Sequence, residues 1–341
     1  MVFWGVSRQT CYDMDHEWFI RRCLELAGRG RGRVGNGALV GAVLVRGEKI
    51  LAEAWYERFG APHAERTLLE RFSGEIKSED TLYVNLEPCC HEGKTPPCTD
   101  SIIERGIRRV AFGMVDPDAR VSGEGIQKLR EAGVEVIGPL LRTQCEWLNR
   151  GFISLRTRGR PFVTLKRAQT RDGAIAKRDG SALKITSQEQ DVWSHTFLRG
   201  SSDAILVGVE TVILDGPQLT PRLANTRFVQ EVPKPYRVIL DPHTRLPLSA
   251  RVVSDAECNR TIVVTAETKE ITQELTRRGV SVVTVPLEGD QFSWEGLFSV
   301  LTTPSGNFPG IATLLVEGGA RTWQAFQEAG YVDEEVILVG S

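Results

Sequence analysis

Three residues able to hold a metal lie in one short stretch of the chain. They are His63, in His63-Ala64-Glu65, and the thiols of Pro88-Cys89-x8-Cys98. An imidazole and two thiolates are a zinc donor set that leaves the fourth tetrahedral position for water, which suits catalysis better than a purely structural role. Zinc lowers the pKa of such a water toward ~7, so hydroxide is available at neutral pH. Glu65, two residues from the ligand histidine, can carry a proton without binding the metal. Each piece alone is common: HAE usually starts a surface helix, and two nearby cysteines are usually unrelated thiols. The conjunction, in this order, is much rarer. Cys90 and His91 adjoin Cys89 and either could replace it as ligand; the preceding Pro88 favours Cys89. Cys11, Cys23, Cys145 and Cys258 are scattered and read as small apolar fillers.

Alternating helices and strands must position these groups. Asp15 is a candidate N-cap for a helix carrying Trp18, Phe19, Cys23, Leu26 and Ala27 at helical spacing. Residues 39–45 and 50–54 flank a polar turn and predict a hairpin. A helix opens near His63, a strand covers 81–86, and a second helix takes in 101–105. A strand over 109–113, a helix over 123–132 and a strand over 134–137 follow. Such alternation predicts a largely parallel sheet covered on both faces. The Arg- and Gly-rich stretch Asn149–Pro161 marks the domain boundary, giving domains at 14–149 and 160–341. The second half restarts the pattern, with strands expected at 162–168, 204–208, 237–241, 261–265, 280–285 and 312–316. Ser187-x-x-Gln190 fits a capping box opening a helix that runs to about Arg199.

The chain has 341 residues, room for two domains with real cores. Its 42 Lys and Arg balance 44 Asp and Glu for a net charge of -2. That leaves no electrostatic footprint for nucleic acid or an anionic membrane. No apolar run approaches the ~20 residues of a membrane span. The first residues lack the pattern of a signal peptide. Seven cysteines, three of them within ten residues, are poor disulfide arithmetic and better metal arithmetic. A cytoplasmic location is therefore expected.

The H-x-E and P-C pieces form the signature of zinc deaminases acting on nucleobases. HAE followed by LEPCCHEGKTPPC (Leu86–Cys98) resembles the deaminase half of the bifunctional deaminase–reductases of riboflavin biosynthesis. DPDARVSGEGIQKLREAGVEV (Asp116–Val136) resembles that family's next segment. LKRAQTRDGAIA (Leu165–Ala176), LRGSSDAILVGVETVILDGPQLTPR (Leu198–Arg222) and LLVEGGA (Leu314–Ala320) resemble its reductase. The resemblance runs from about residue 14 to the end, with both domains in family order. It implies an α/β fold: an N-terminal cytidine-deaminase-like α/β/α sandwich and a C-terminal dihydrofolate-reductase-like α/β domain. It implies hydrolytic deamination of 2,5-diamino-6-(5-phosphoribosylamino)pyrimidin-4-one, then reduction of the ribosyl group to ribityl by NADPH.

The second half carries residues suited to such ligands. Gly318-Gly319-Ala320 lie between a strand and a helical pattern, where backbone N–H groups bind phosphate well. Glu317 is a polar group at the strand's carboxyl end, where α/β sheets place ligands. Arg199 and Arg222 can grip a phosphate bidentately, although a lone arginine is more often a solvated charge. Lys166 is a cation on an expected core strand, which points to a site. By motif match the resemblance assigns Ala168, Thr211, Asp215, Gly318, Gly319 and Ala320 to NADPH. It assigns Lys166, Arg199, Leu219, Arg222 and Glu317 to substrate.

The chain departs from the family in several places. Where the family reads PNP-x-VG, Asn36 stands one residue out of register; where it has a histidine, the chain has Tyr56. By resemblance both positions belong to the deaminase base pocket. The family's S-x-W-I-T is here Ala182-Leu183-Lys184-Ile185-Thr186, and its SLDG turn is Thr170-Arg171-Asp172-Gly173. These departures admit a diverged paralogue, a zinc deaminase on another aminopyrimidine or nucleotide with a weak reductase. A non-catalytic zinc scaffold is the third reading; retention of Glu65 argues against it, because structural zinc needs no proton carrier. Residues 336–339 read as an apolar strand near the end of the chain, and the family's next strand would pair with it. An open edge there leads to the expectation of a homo-oligomer through the reductase half, or of a reductase half less stable than the deaminase half.

Overall fold

The computed structural model describes residues 15–91, 96–118, 122–175, 184–221 and 234–340. Two units emerge, one of Leu39–Asn149 with the chain up to Gly30, the other of Arg31–Ala38 with Arg150–Ser341. The second unit therefore includes a short stretch from the first half of the sequence.

The first unit contains α1 (His16–Gly28), β1 (Gly41–Arg46), β2 (Lys49–Trp55), α2 (Ala64–Arg71), β3 (Asp80–Val84), α3 (Cys98–Glu104), β4 (Arg109–Phe112), α4 (Glu124–Glu131), β5 (Glu135–Ile137) and α5 (Arg142–Leu148). Asp15 caps α1 by accepting from the Trp18 N–H at 3.1 Å. Phe19, Ile20, Cys23, Leu26 and Ala27 form its buried face, whereas Trp18 faces out. The strand order is β2-β1-β3-β4-β5. The sheet is mixed rather than largely parallel: β1 runs antiparallel to both β2 and β3, and β3, β4 and β5 are parallel. The tight turn after β1 forces the first of those antiparallel pairs. Strands β1 and β3 are almost wholly buried, as central strands covered on both faces must be. Two buried asparagines hold the entry to β1. Asn85 accepts from the Gly41 N–H and donates to the Leu39 carbonyl, and Asn149 accepts from the Leu39 N–H.

The second unit contains α6 (Arg150–Arg158), β6 (Phe162–Gln169), α7 (Gln188–Trp193), β7 (Ala204–Gly208), α8 (Val209–Asp215), β8 (Tyr236–Leu240), α9 (Arg251–Ser254), β9 (Thr261–Thr265), α10 (Glu270–Arg277), β10 (Ser281–Thr284), the short pair β11 (Leu287–Glu288) and β12 (Gln291–Phe292), α11 (Trp294–Thr302), β13 (Thr313–Val316), α12 (Ala320–Glu328) and β14 (Glu334–Val339). The stretch read as a boundary thus folds largely as α6. The order β10-β9-β8-β7-β13-β6-β14 makes a seven-stranded sheet with every neighbouring pair parallel. One apolar layer joins Val163, Leu206, Val238, Leu297, Phe298 and Phe326; the other joins Ile205, Val207, Ile239, Val263 and Leu275. The Ser187–Gln190 capping box forms as expected. The helix it opens is not regular to Arg199: Ser194–Leu198 form a π-turn, and Arg199–Ser201 a 3₁₀ turn. Among the described residues no helix is long and apolar enough to cross a membrane.

Arg237 of β8, only 1% exposed, is the largest fully buried side chain among the described residues. It donates to both oxygens of Asp255 at 2.7 and 2.9 Å and to the Thr261 hydroxyl at 2.9 Å. Burial pushes the Asp255 carboxyl up, but the Arg237 guanidinium outweighs it and holds the group below its ordinary 3.8. Removing the carboxylate strands a buried cation, so Asp255→Ala should cost about 2–3 kcal/mol; the double variant Arg237→Met/Asp255→Ala should recover much of it. Because the folded pKa is depressed, this contribution is full above the ordinary value and is lost as pH falls through the lower folded value. Hydrogen exchange of the β8 and β9 amides checks both statements.

Candidate active sites

His63 occupies the N-cap position of α2 in extended backbone, with Glu65 in the helix's first turn. Cys89 lies in the loop after β3, and Cys98 opens α3 behind Pro97. The Cys98 N–H donates to the Cys89 sulfur at 3.4 Å, and the Thr99 N–H to the Cys89 carbonyl at 3.1 Å, so the loop is folded back onto the helix start. These elements bring His63 Nδ1 to 3.5 Å from Cys89 Sγ and 3.4 Å from Cys98 Sγ. All three donor atoms lie within 4.8 Å of one another. Ligands at zinc–nitrogen and zinc–sulfur distances, spread at tetrahedral angles, stand about 3.5–3.8 Å apart. The triangle therefore fits a zinc ion. Cys90 and His91 are not part of it.

Glu65 is 3% exposed. Burial pushes its carboxyl up to about 7; the His63 ring acts against that push and Cys89 adds to it. A carboxyl poised near neutrality can both accept and return a proton. The thiol of Cys98 donates toward Cys89, which lowers Cys89 and, with burial, raises Cys98. Tyr56, at the end of β2, packs edge-on against the His63 ring at 5.6 Å between centroids. Its hydroxyl accepts from the Gly60 N–H at 2.9 Å, so the ring is a fixed wall of the site. Asn36 belongs to the second unit, where its N–H donates to the Pro309 carbonyl and its side chain to that of Thr302. Asp116, which the sequence reading did not single out, is buried and acts electrostatically on the His63 ring.

In the second unit the parallel pairing of β13 with β6 sets Val316 opposite Leu165. Glu317, the residue after β13, thus comes beside Lys166 in the middle of β6. Arg199 grips Glu317 with two bonds, at 2.8 and 2.5 Å, and donates to the Thr220 carbonyl at 3.2 Å. Burial pushes the Glu317 carboxyl up, but Arg199, and beyond it Lys166 and His195, hold it below the ordinary carboxylate range. Leu219, next to Thr220, is buried in the left-handed region at φ 52°. The structure therefore draws Lys166, Arg199, Leu219 and Glu317 toward one place. His195, in the π-turn, joins them; its spacing of four residues from Arg199 was the available signal.

Gly318 lies so close to β7 that a Cβ would stand 2.8 Å from the Val207 Cα and 2.9 Å from the Gly208 nitrogen. Gly319 caps α12, and its N–H donates to the Thr211 hydroxyl at 3.0 Å. Gly319 and Ala320, at the start of α12, are exposed. Ala168 is two residues beyond Lys166 and on the same face of β6. Asp215 closes α8 at the surface, and no described contact joins it to this cluster. Arg222 and Ala182 lie outside the described residues; Lys184 is exposed, and no described contact joins it to the cluster.

Comparison with known proteins agrees with both halves. Residues 13–114 match the family model of the cytidine and deoxycytidylate deaminase zinc-binding region, and residues 161–341 match the RibD C-terminal domain. The riboflavin biosynthesis protein RibD of Aquifex aeolicus is 40% identical over 321 residues, covering 94% of this chain and 85% of the relative. That of Escherichia coli is 33% identical over 335 residues, covering 96% and 88%. A solved diaminohydroxyphosphoribosylaminopyrimidine deaminase/5-amino-6-(5-phosphoribosylamino)uracil reductase from Thermotoga maritima superposes with a TM-score of 0.76 at 38% identity, covering 95% of this chain and 86% of that one. Acinetobacter baumannii RibD gives 0.77 at 33% identity, with the same coverage. The chain belongs to the RibD family: it is a bifunctional enzyme of riboflavin biosynthesis, with a zinc-binding deaminase domain ahead of an NADPH-using reductase domain.

Proposed function

We propose that His63, Cys89 and Cys98 hold one zinc ion and that Glu65 moves the protons of a hydrolytic deamination. The substrate is 2,5-diamino-6-(5-phosphoribosylamino)pyrimidin-4-one, and its 2-amino group leaves as ammonia. The observation that carries this reading is the donor triangle with a buried carboxyl beside it. Zinc held there supplies Lewis acidity that makes water nucleophilic near neutral pH. Glu65 takes a proton from the attacking water and returns it to the departing nitrogen, so no net proton is stored. Tyr56 narrows the site and excludes water from one side of the His63 ring.

The second site reduces the ribosyl group. We assign NADPH to the α12 start, Gly319 and Ala320, with Thr211 and Ala168 beside it, and substrate to Lys166, Arg199, Leu219 and Glu317. NADPH supplies the hydride; the chain supplies orientation and charge. The Arg199–Glu317 pair holds a buried carboxylate ionised and leaves a fixed polar wall at the strand ends. Asp215 and Arg222 are assigned by resemblance alone, to cofactor and substrate respectively. The partners are small molecules. The free thiols of Cys23, Cys89, Cys90, Cys98, Cys145 and Cys258 suit a reducing cytoplasm. The exposed Ile337 and Val339 of β14 support association of two reductase halves into a homo-oligomer.

Cys98→Ser should drop zinc from one per chain toward none while the reductase half stays folded, as read by elemental analysis and NADPH binding. Full zinc in that variant would remove Cys98 from the ligand set. Glu65→Gln should keep zinc and lose about 10²–10⁴ in deaminase kcat. Wild-type turnover in that variant would take Glu65 out of the chemistry. Arg199→Lys cannot restore a bidentate grip, so the reductase KM should rise about tenfold or more with deamination untouched. An unchanged KM would leave the pair without a part in substrate binding.

A further inference from the structure

Glu87 is a carboxylate that the deamination chemistry does not use, and it is 2% exposed. It stands two residues before Cys89 in Leu86-Glu87-Pro88-Cys89. Its own N–H donates to the Met114 carbonyl at 2.9 Å, which ties it to the chain just past β4. Each of its side-chain oxygens accepts two backbone N–H groups. One takes Asp116 at 3.1 Å and Gly123 at 3.0 Å. The other takes Gly125 at 2.9 Å and Ile126 at 3.2 Å. Four charge-assisted bonds therefore converge on one buried anion, which leaves its charge well compensated.

The bonds to Gly125 and Ile126 explain how α4 begins. Its N-cap is Gly123, in the left-handed region at φ 84°, and a glycine has no side chain to cap with. The Glu87 carboxylate satisfies the helix's free N–H groups from outside and faces the positive end of its dipole. Close approach is built in: a Cβ on Gly125 would stand 2.1 Å from the Pro88 carbonyl oxygen. Three donors at the start of α4, on Gly123, Gly125 and Ile126, are thereby taken by the chain itself.

We propose that Glu87 is a positioning residue for the deaminase substrate. It locks the Cys89 segment, the Asp116 backbone and the entry of α4 into one frame. Asp116, whose N–H the Glu87 carboxylate accepts at 3.1 Å, is held by that frame together with the loop that carries Cys89 of the donor triangle. The proposal rests on the deaminase reading above. Because Glu87 fixes walls and not reacting atoms, its loss weakens substrate and transition state alike, which raises KM with kcat preserved.

The test uses the full zinc-loaded chain. Glu87→Gln keeps the shape but sets an amide donor against two backbone donors. Its deaminase KM should rise about tenfold or more, with kcat within about threefold and zinc at one per chain. Calorimetric affinity for the deaminated product should fall by a similar factor. The reductase KM, measured in the same chain, should not move. Glu87→Asp, which restores the charge, should recover part of the loss. A wild-type KM in a less stable Glu87→Gln protein would reduce Glu87 to a structural cap and overturn the proposal, as would a loss confined to kcat. Should Glu87→Gln fail to fold, Gly125→Ala lifts the start of α4 by setting a Cβ against the Pro88 carbonyl and the Glu87 carboxylate. It should raise KM in the same way, and a wild-type KM there is equally fatal. A wild-type chain that binds the product but does not deaminate would sink the deaminase reading, while the change in product affinity still decides the role of Glu87.

Discussion

The burial of ionisable groups that make sense only together organises this protein. A neutral imidazole and two thiols brought within 4.8 Å of one another are a poor arrangement for an apolar interior. Two protons must leave and a cation must enter before the charges balance. The three donors come from a helix cap, a loop and a helix start, so the arrangement persists only if all three are pinned by something else. The buried asparagines at the entry to β1 and the backbone bonds from the α3 start to Cys89 supply those pins. None of them touches the reacting atoms.

The second unit applies the same constraint differently. Its seven parallel strands end along one edge, and parallel sheets leave polar groups at that edge for ligands. Glu317 would be costly there without Arg199, and Arg199 would be costly without Glu317 and the Thr220 carbonyl. The pair is therefore fixed before any ligand arrives. The π-turn before Arg199 widens the helix by one residue per turn at this point, and π-turns often mark functional sites. It keeps His195 within electrostatic reach of the same carboxylate.

The candidate donor set was legible in the sequence because its spacing is set by local geometry: His63 and Glu65 share a helix turn, and Cys98 begins a helix. So were most strands and helices, whose apolar periodicity reflects which face is covered, and the Ser187 capping box, which is a contact between near neighbours. The domain order and the nature of the reactions followed from matched segments spread over both halves. Tertiary structure alone decided the rest. The antiparallel pairing of β1 with β3 depends on where a crossover returns, which periodicity does not encode. Asn36 bonds to Pro309 and Thr302, more than 260 residues away in sequence, which no local pattern announces. Glu87 looked like any glutamate before a Pro-Cys pair. Its role depends on four N–H groups from a segment about 30 to 40 residues on, and a hydrogen bond across that span leaves no mark in local composition.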